Sequence, residues 1–488
     1  MTFLRGLFLF FILFFAATSS KAQFKLHLNN DLHNTNPNLQ KSGASSYVLF
    51  NLHRSLLKID KNGELVPDLA ENCHTQKKTI TCTLRQDSKW SDGSLLTAED
   101  FLETYRNILT PSYKSPRADL LFAVKGAQEF YQGKGKGKGF AITAPNPRTI
   151  KFELNSVDSD FKFNLANFIL APYKVGKFTG PFKIKKIEAR KSIELMSNDF
   201  YWQKNPSRPE VHFLIIEEDS TALNLYEKNQ LHFLRRLPTA LIAKYQNRAD
   251  YFSNPIWRMD YLGFLNSPQL NLETRKSLAT SLRYKELQKI FNSKGLPGCP
   301  GIPDDWYGKD DLCLNFIESQ NTAKQSISTF EIAYSASGGD DHRRAMEWVL
   351  LQWKKNLGVS GRVKAVDNKL FIEQLKNNQH LIFRRGLPLD SPNCYSSLKF
   401  FISDHPENFI RLSSPEFDEI VAELKASESD IKNRELCAKG IKFLKENYHL
   451  IFLGPIEFSS LAKKDYTGWS INPMNLLDLS ELKPSVSK

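Results

Sequence analysis

The sequence predicts a mixed α/β protein, built of more than one lobe and exported from the cytoplasm. Three observations carry this expectation. At 488 residues the chain is too long for one small hydrophobic core. Short strand-like stretches alternate with amphipathic helical ones, with no repeat of fixed period. The amino terminus reads as a leader.

In that leader Arg5 precedes an apolar run from Leu7 to Ala17, and Thr18-Ser19-Ser20-Lys21-Ala22 follows. This is the basic, apolar and small-polar order of a secretory signal peptide, with Ser20-x-Ala22 as the cleavage motif. The run falls short of the roughly 20 residues that span a bilayer. No cysteine lies near the cleavage motif to carry a lipid. The mature protein is therefore expected to begin near Gln23 and to be periplasmic. No later stretch is long and apolar enough to cross a membrane.

Export gives the six cysteines a meaning, because an oxidising compartment favours disulfides. Six cysteines allow 15 pairings. Proximity favours Cys73 with Cys82 and Cys299 with Cys313, leaving Cys394 with Cys437. None has the C-x-x-C spacing of zinc ligands, and no metal site is expected.

Three helices are marked by their ends and stripes. Thr97 caps the first, with Asp100 at the third helical position and Phe101, Tyr105 and Ile108 on one face. Met346, Val349, Leu350 and Trp353 line the second, which ends near Gly358. The third opens at Ser414-Pro415 and buries Phe417, Ile420, Val421 and Leu424.

The formal net charge is +13, and loss of Arg5 and Lys21 with the leader leaves +11. The lysines are spread along the chain rather than gathered into an arm, so nucleic acid is not an expected partner. The run Gly133-Lys134-Gly135-Lys136-Gly137-Lys138-Gly139 lacks the G-x-x-x-x-G-K-[ST] spacing of a phosphate loop and reads as a solvated loop. H-E-x-x-H and G-x-S-x-G are absent. The ten histidines are scattered, and Asp304-Asp305 and Asp340-Asp341 read as solvated loop acids. No enzyme activity and no cofactor are expected.

One stretch is specific. Leu65-Val66-Pro67-Asp68-Leu69-Ala70, then Lys89-Trp90-Ser91-Asp92-Gly93-Ser94-Leu95-Leu96-Thr97-Ala98-Glu99-Asp100-Phe101, closely resembles the peptide/nickel family of extracellular solute-binding proteins, family 5. Asp92-Gly93 makes a tight turn and Thr97 caps the helix that follows. Ser115-Pro116, Lys125-Gly126-Ala127, Gly180-Pro181-Phe182, Leu195 to Trp202, Val211 to Leu231 and Tyr261 to Asn266 are similar to further motifs of that family.

The resemblance implies a two-lobe, clam-shell α/β fold of the periplasmic-binding-protein type, with an extra subdomain in the first lobe. Residues 1–22 would be the leader. Residues 23–62 and 178–266 would form the first lobe around a subdomain at 63–177. Residues 267–453 would form the second lobe, and 454–488 would return to the first. It further implies a monomer that delivers short peptides to an inner-membrane ABC permease. A nickel chelate, a sugar or a cell-wall fragment is the alternative ligand within the family. An exported hydrolase is the alternative of another class.

In the family's peptide-binding members a Trp-x-x-Asp-Tyr-x-Asp segment lines the cleft. Here Leu387-Pro388-Leu389-Asp390-Ser391-Pro392-Asn393 is similar, and Asp390 matches the acid that receives a peptide's amino group. Leu387, Ser391 and Asn393 depart from the pattern. Arg384 and Arg385 add positive charge, either toward a ligand carboxylate or toward solvent. Extended segments at Gly43–Tyr47 and Arg385–Leu387, including Gly386, would pair with a peptide backbone. Trp257, Tyr261 and Asn266 would form hinge-side walls, unless the two aromatics are core.

Overall fold

The structure, a computed structural model, describes residues 23–485 except 33, 41–42, 135–138, 159, 284–285, 288–289, 291–328, 337–338, 392, 428 and 455–456. The leader, Cys299, Cys313, Asp304-Asp305 and the centre of the Gly-Lys run lie outside the described residues.

Two sheets carry the two lobes. The first has seven strands in the order Tyr251–Pro255, Glu457–Ala462, Phe233–Leu234, Gln23–Leu28, Glu210–Ile215, Ser192–Ser197 and Phe182–Glu188. The second has five, in the order Ser360–Val366, Thr329–Ser335, Ile382–Pro388, Arg258–Phe264 and Leu450–Phe452. A separate four-stranded sheet, Ala70–Gln76, Thr79–Leu84, Thr149–Glu153 and Ile142–Asn146, forms the subdomain.

The chain leaves the first sheet after Pro255 and enters the second at Arg258, ahead of the boundary expected after Asn266. The reason is pairing: residues 258–264 bond antiparallel to 382–388 and to 450–452. The first lobe's core gathers Phe24, Leu26, Val48, Phe213 and Phe233. The second gathers Leu262, Ile332, Met346 and Trp353. The subdomain core runs on without a break into residues of the second lobe, among them Leu387 and Phe401.

The family motif is structural. Gly93 sits at φ +87°, where a side chain would be strained. The Asp100 carboxylate accepts from Thr97 N at 2.8 Å and the Thr97 hydroxyl at 3.1 Å, holding the start of the helix Ala98–Leu109. Trp90 is buried and its indole N–H points at the same carboxylate, 3.4 Å away. At Gly180 a Cβ would lie 2.5 Å from the Asn51 carbonyl oxygen, so only glycine lets the two segments touch. Tyr201 and Trp202 both donate to the buried Asp68, at 3.1 and 2.9 Å.

The other two helices form as the sequence predicts, at Gly339–Leu357 and Pro415–Ala426. Ser414 Oγ accepts from Phe417 N at 3.2 Å. Gly358 closes the longer helix at φ +71°. Among the described residues no helix is long and apolar enough to cross a membrane.

Among the described residues two disulfides are present, Cys73–Cys82 across a hairpin and Cys394–Cys437 over 43 residues. The second ties the helix Cys394–Leu398 to Asp430–Glu446. Replacing Cys394 and Cys437 together with serine is expected to destabilise the protein by about 2–4 kcal/mol through the freed loop. Calorimetry in oxidising buffer checks this; an unchanged melting temperature would contradict it.

Candidate functional site

In the first lobe the strands Gln23–Leu28, Glu210–Ile215 and Phe233–Leu234 run parallel, so their carboxyl ends share one edge. Ligands of open α/β sheets gather outside such edges. At this edge stand His27, Asp219, Arg235 and Arg236. The second lobe presents the first turn of the helix Gly339–Leu357 and one face of the strands 258–264 and 382–388.

Ion pairs cross between the two sides. Arg236 meets Asp341 at 3.2 Å, and the Thr239 hydroxyl donates to the same carboxylate. Asp341 also pairs with Arg344 at 2.5 Å. The expectation of a solvated loop acid at Asp341 is corrected: it belongs to a helix start and bridges the lobes, its side chain 17% exposed. Next to it, His342 Nδ1 lies 2.8 Å from an Arg384 guanidinium nitrogen. Burial and the fields of Arg384, Arg258 and Arg236 depress its pKa far below the usual imidazole range, so His342 is neutral and accepts.

Arg384 is buried and pairs with Asp260, whose other oxygen takes Arg258 at 2.5 Å. Burial lowers the Arg384 pKa to about 10 against the pull of Asp260. A Cβ on Gly386 would stand 1.9 Å from the Arg258 guanidinium, so glycine leaves room for that side chain.

The backbone of the strand Ile382–Pro388 is half-used. It bonds along its whole length to 258–264 but only at 382–384 to Thr329–Ser335. Asp260 O accepts from Leu453 N, so Asp260 faces the strand Leu450–Phe452. Its partner Gly386 therefore points its N–H and C=O the other way, by the alternation of antiparallel pairs. Beyond Arg384 that edge has no strand partner among the described residues.

Asp390 follows this edge and is 8% exposed. Arg117 of the subdomain grips both its oxygens at 3.0 and 2.9 Å, and Lys399 Nζ adds a contact at 3.2 Å. The two cations hold its carboxyl well below the usual range despite burial. Three donors leave about one lone-pair site on the carboxylate.

Several expected site residues stand elsewhere. Gly43–Tyr47 is not an extended edge but the opening of the helix Gly43–Leu52. Tyr47 is buried, its hydroxyl donating to Asn475 at 3.0 Å, because its ring packs inside the first lobe. Tyr261 is a core aromatic between Phe383 and Phe401 rather than a wall, since the strand alternation turns it inward. Trp257 is 9% exposed and packs in the same core, its backbone bonded to Pro473 and Leu389. Leu387 is also buried there. Arg385 turns to Glu407 at 2.9 Å within the second lobe. Asn266 is exposed and hydrogen-bonds the 410–411 loop through its backbone N–H and its side chain.

Sequence reasoning missed Arg235, Arg236, Asp260 and His342. An arginine pair directly after a strand end was the one available signal. Among the described residues no group of three His, Cys, Asp or Glu side chains is placed to hold a metal.

The family model for bacterial extracellular solute-binding proteins, family 5, matches residues 64–409. The chain belongs to this family. The oligopeptide-binding protein OppA of Bacillus subtilis is 25% identical over 464 residues, covering 86% of this chain and 85% of the relative. The periplasmic murein peptide-binding protein MppA of Escherichia coli is 22% identical over 454 residues, covering 85% and 84%. Among solved structures, the Escherichia coli murein tripeptide binding protein MppA superposes with a TM-score of 0.82 at 19% identity, over 96% of this chain and 99% of that one. Haemophilus influenzae OppA in complex with the peptide RPPGFSPFR gives 0.80 at 21% identity, over 95% and 99%. The fold is thus the two-lobe α/β architecture of the family's solute-binding proteins.

Proposed function

We propose that the protein captures short peptides in the periplasm and delivers them to an inner-membrane ABC permease, acting as a monomer without enzymatic activity. The observation that carries this reading is the open backbone edge at Gly386. A peptide laid beside it gains main-chain hydrogen bonds independent of its sequence, as in strand addition. Relatives named for oligopeptide and murein-peptide binding support the ligand class. The leader at residues 1–22, cleaved after Ala22, supports the compartment.

In this reading Asp390 receives the peptide's amino group on its remaining lone-pair site. A charge-assisted bond in a largely dry setting is worth roughly 1.5–3 kcal/mol, or about 10- to 100-fold in affinity. Differential scanning fluorimetry against a peptide library tests the proposal. Free-amino peptides should raise the melting temperature, N-acetylated ones much less, and Asp390→Asn should erase that difference. No shift with any peptide would sink the reading and return the choice to a sugar, chelate or cell-wall fragment. Steady turnover of ester, peptide or glycoside substrates would instead make the protein a hydrolase.

A further inference from the structure

Among the described residues Arg235 has no counter-ion. It is the first residue after the strand Phe233–Leu234, at the carboxyl edge of the first-lobe sheet. Its guanidinium lies 5.5 Å from the centre of the buried Tyr47 ring. No described carboxylate comes within ion-pair distance of it, and its Nε is buried without a hydrogen-bond partner. Asp219 reaches it only through its field and sits 3.8 Å from His27, beyond hydrogen-bond range.

A second observation points the same way. Buried polar atoms without a hydrogen bond concentrate at this edge: both ring nitrogens of His27, Oδ1 of Asp219, which meets His27 Nε2 only at 3.8 Å, Oδ1 of Asn29, and Nε of Arg235. Facing them, Nε of Arg344 and of Arg384 are buried and unpaired as well. Folded proteins leave few such atoms, and a cluster of them marks where a polar ligand or ordered water belongs. The charge balance says which ligand. In this group Arg235, Arg236, Arg258, Arg344 and Arg384 meet only Asp219, Asp260 and Asp341, while the neighbouring His342 is neutral. Among the described side chains two positive charges are left over, and Arg235 carries one outright. An unpaired buried charge is expensive unless a ligand neutralises it.

We propose that Arg235 is a specificity-determining residue that receives a ligand carboxylate, so that the protein prefers acidic peptides. The planar guanidinium, braced on Tyr47, offers its two Nη groups as a fork for a carboxylate. The same chemistry would come from an acidic side chain or from the peptide's own carboxyl end. This inference rests on the peptide reading above and names the ligand's charge within it.

The test is isothermal titration of the purified protein with Ala-Glu-Ala, Ala-Gln-Ala, Ala-Lys-Ala and the carboxy-amidated form of Ala-Glu-Ala. Wild type should bind Ala-Glu-Ala at least tenfold more tightly than Ala-Lys-Ala. Arg235→Gln should collapse that ratio toward unity, and Arg235→Lys should keep part of it. If Glu→Gln in the peptide weakens wild type and not the Gln variant, the side chain is the partner of Arg235. If only amidation does so, Arg235 receives the peptide's carboxyl end, and the preference for acidic peptides is overturned. Equal affinities across the panel in wild type, or a ratio unchanged in Arg235→Gln, overturn the inference while leaving peptide capture intact. Absence of binding by every peptide overturns both.

Discussion

Replacing Asp260 with alanine is expected to lower the unfolding free energy by about 3–5 kcal/mol, since it strands buried cations. Asp260 is fully buried and neutralises two guanidinium groups, Arg258 and Arg384. Arg384 is itself buried, with His342 as its other partner and Nε already unpaired. Without the carboxylate, Arg384 faces only a neutral imidazole and another cation. The strand pair 258–264 with 382–388 would then have to splay to admit water, displacing the open edge at Gly386. Urea titration should show the lowered midpoint, and peptide affinity should fall with it. A loss below about 1 kcal/mol would mean that water already solvates the pair, which is the behaviour of a surface bridge. Adding Arg258→Met and Arg384→Met to the Asp260→Ala variant should restore much of the stability, because no buried charge then remains.

Acidification from pH 7 should destabilise the protein well before its carboxylates titrate. His53 is fully buried, with Tyr173 and Phe178 rings against it and one hydrogen bond, from Nε2 to the Thr35 carbonyl at 2.9 Å. Burial pushes its pKa down from 6.5 to about 3. Between those values the unfolded chain holds a proton that the folded chain does not. Stability therefore rises with pH through this window and is lost as pH falls through it. The loss from His53 alone is about 2 kcal/mol at pH 5 and on the order of 4–5 kcal/mol below pH 3. Burial also lowers His449, to about 4, and burial with the fields of three arginines lowers His342 further, both adding in the same direction. Asp390 and Asp478, whose pKa values are depressed by cationic partners, contribute stability that is present above about pH 4 and is lost only below it. Melting temperatures from pH 7.5 to 4 separate the two groups. His53→Gln, which keeps a donor for Thr35, should flatten the slope between pH 6.5 and 4.5. An unchanged slope would show that His53 is not its source.

Much of the fold was legible in the chain because its signals are local. Thr97 and Asp100 make a cap across three residues, Ser414 and Phe417 do the same, and Cys73 faces Cys82 across a hairpin. The family motif also announced itself, yet its residues brace the lobes: Trp90, Asp68, Tyr201 and Gly180 hold segments together and touch no cleft group. The motif thus identified the architecture while saying little about the ligand.

The cleft was barely legible, and the residues show why. Asp390 matched the family's acid by its local pattern, but its bidentate partner Arg117 lies 273 positions away. Arg384 was noted for its charge, and its pairing with Asp260, 124 positions distant, was invisible. Tyr47 and Tyr261 had the right chemistry for a wall; a helix and the strand alternation turned them into cores.

The sequence by itself determined the α/β lobes, the helix caps and the family, because each depends on neighbours along the chain. Only the tertiary structure decided which arginines are neutralised, where a backbone edge stays open and which way each aromatic faces. Those outcomes follow from burial and from charges that meet across the cleft, and the energy of a charge is set by what surrounds it in space.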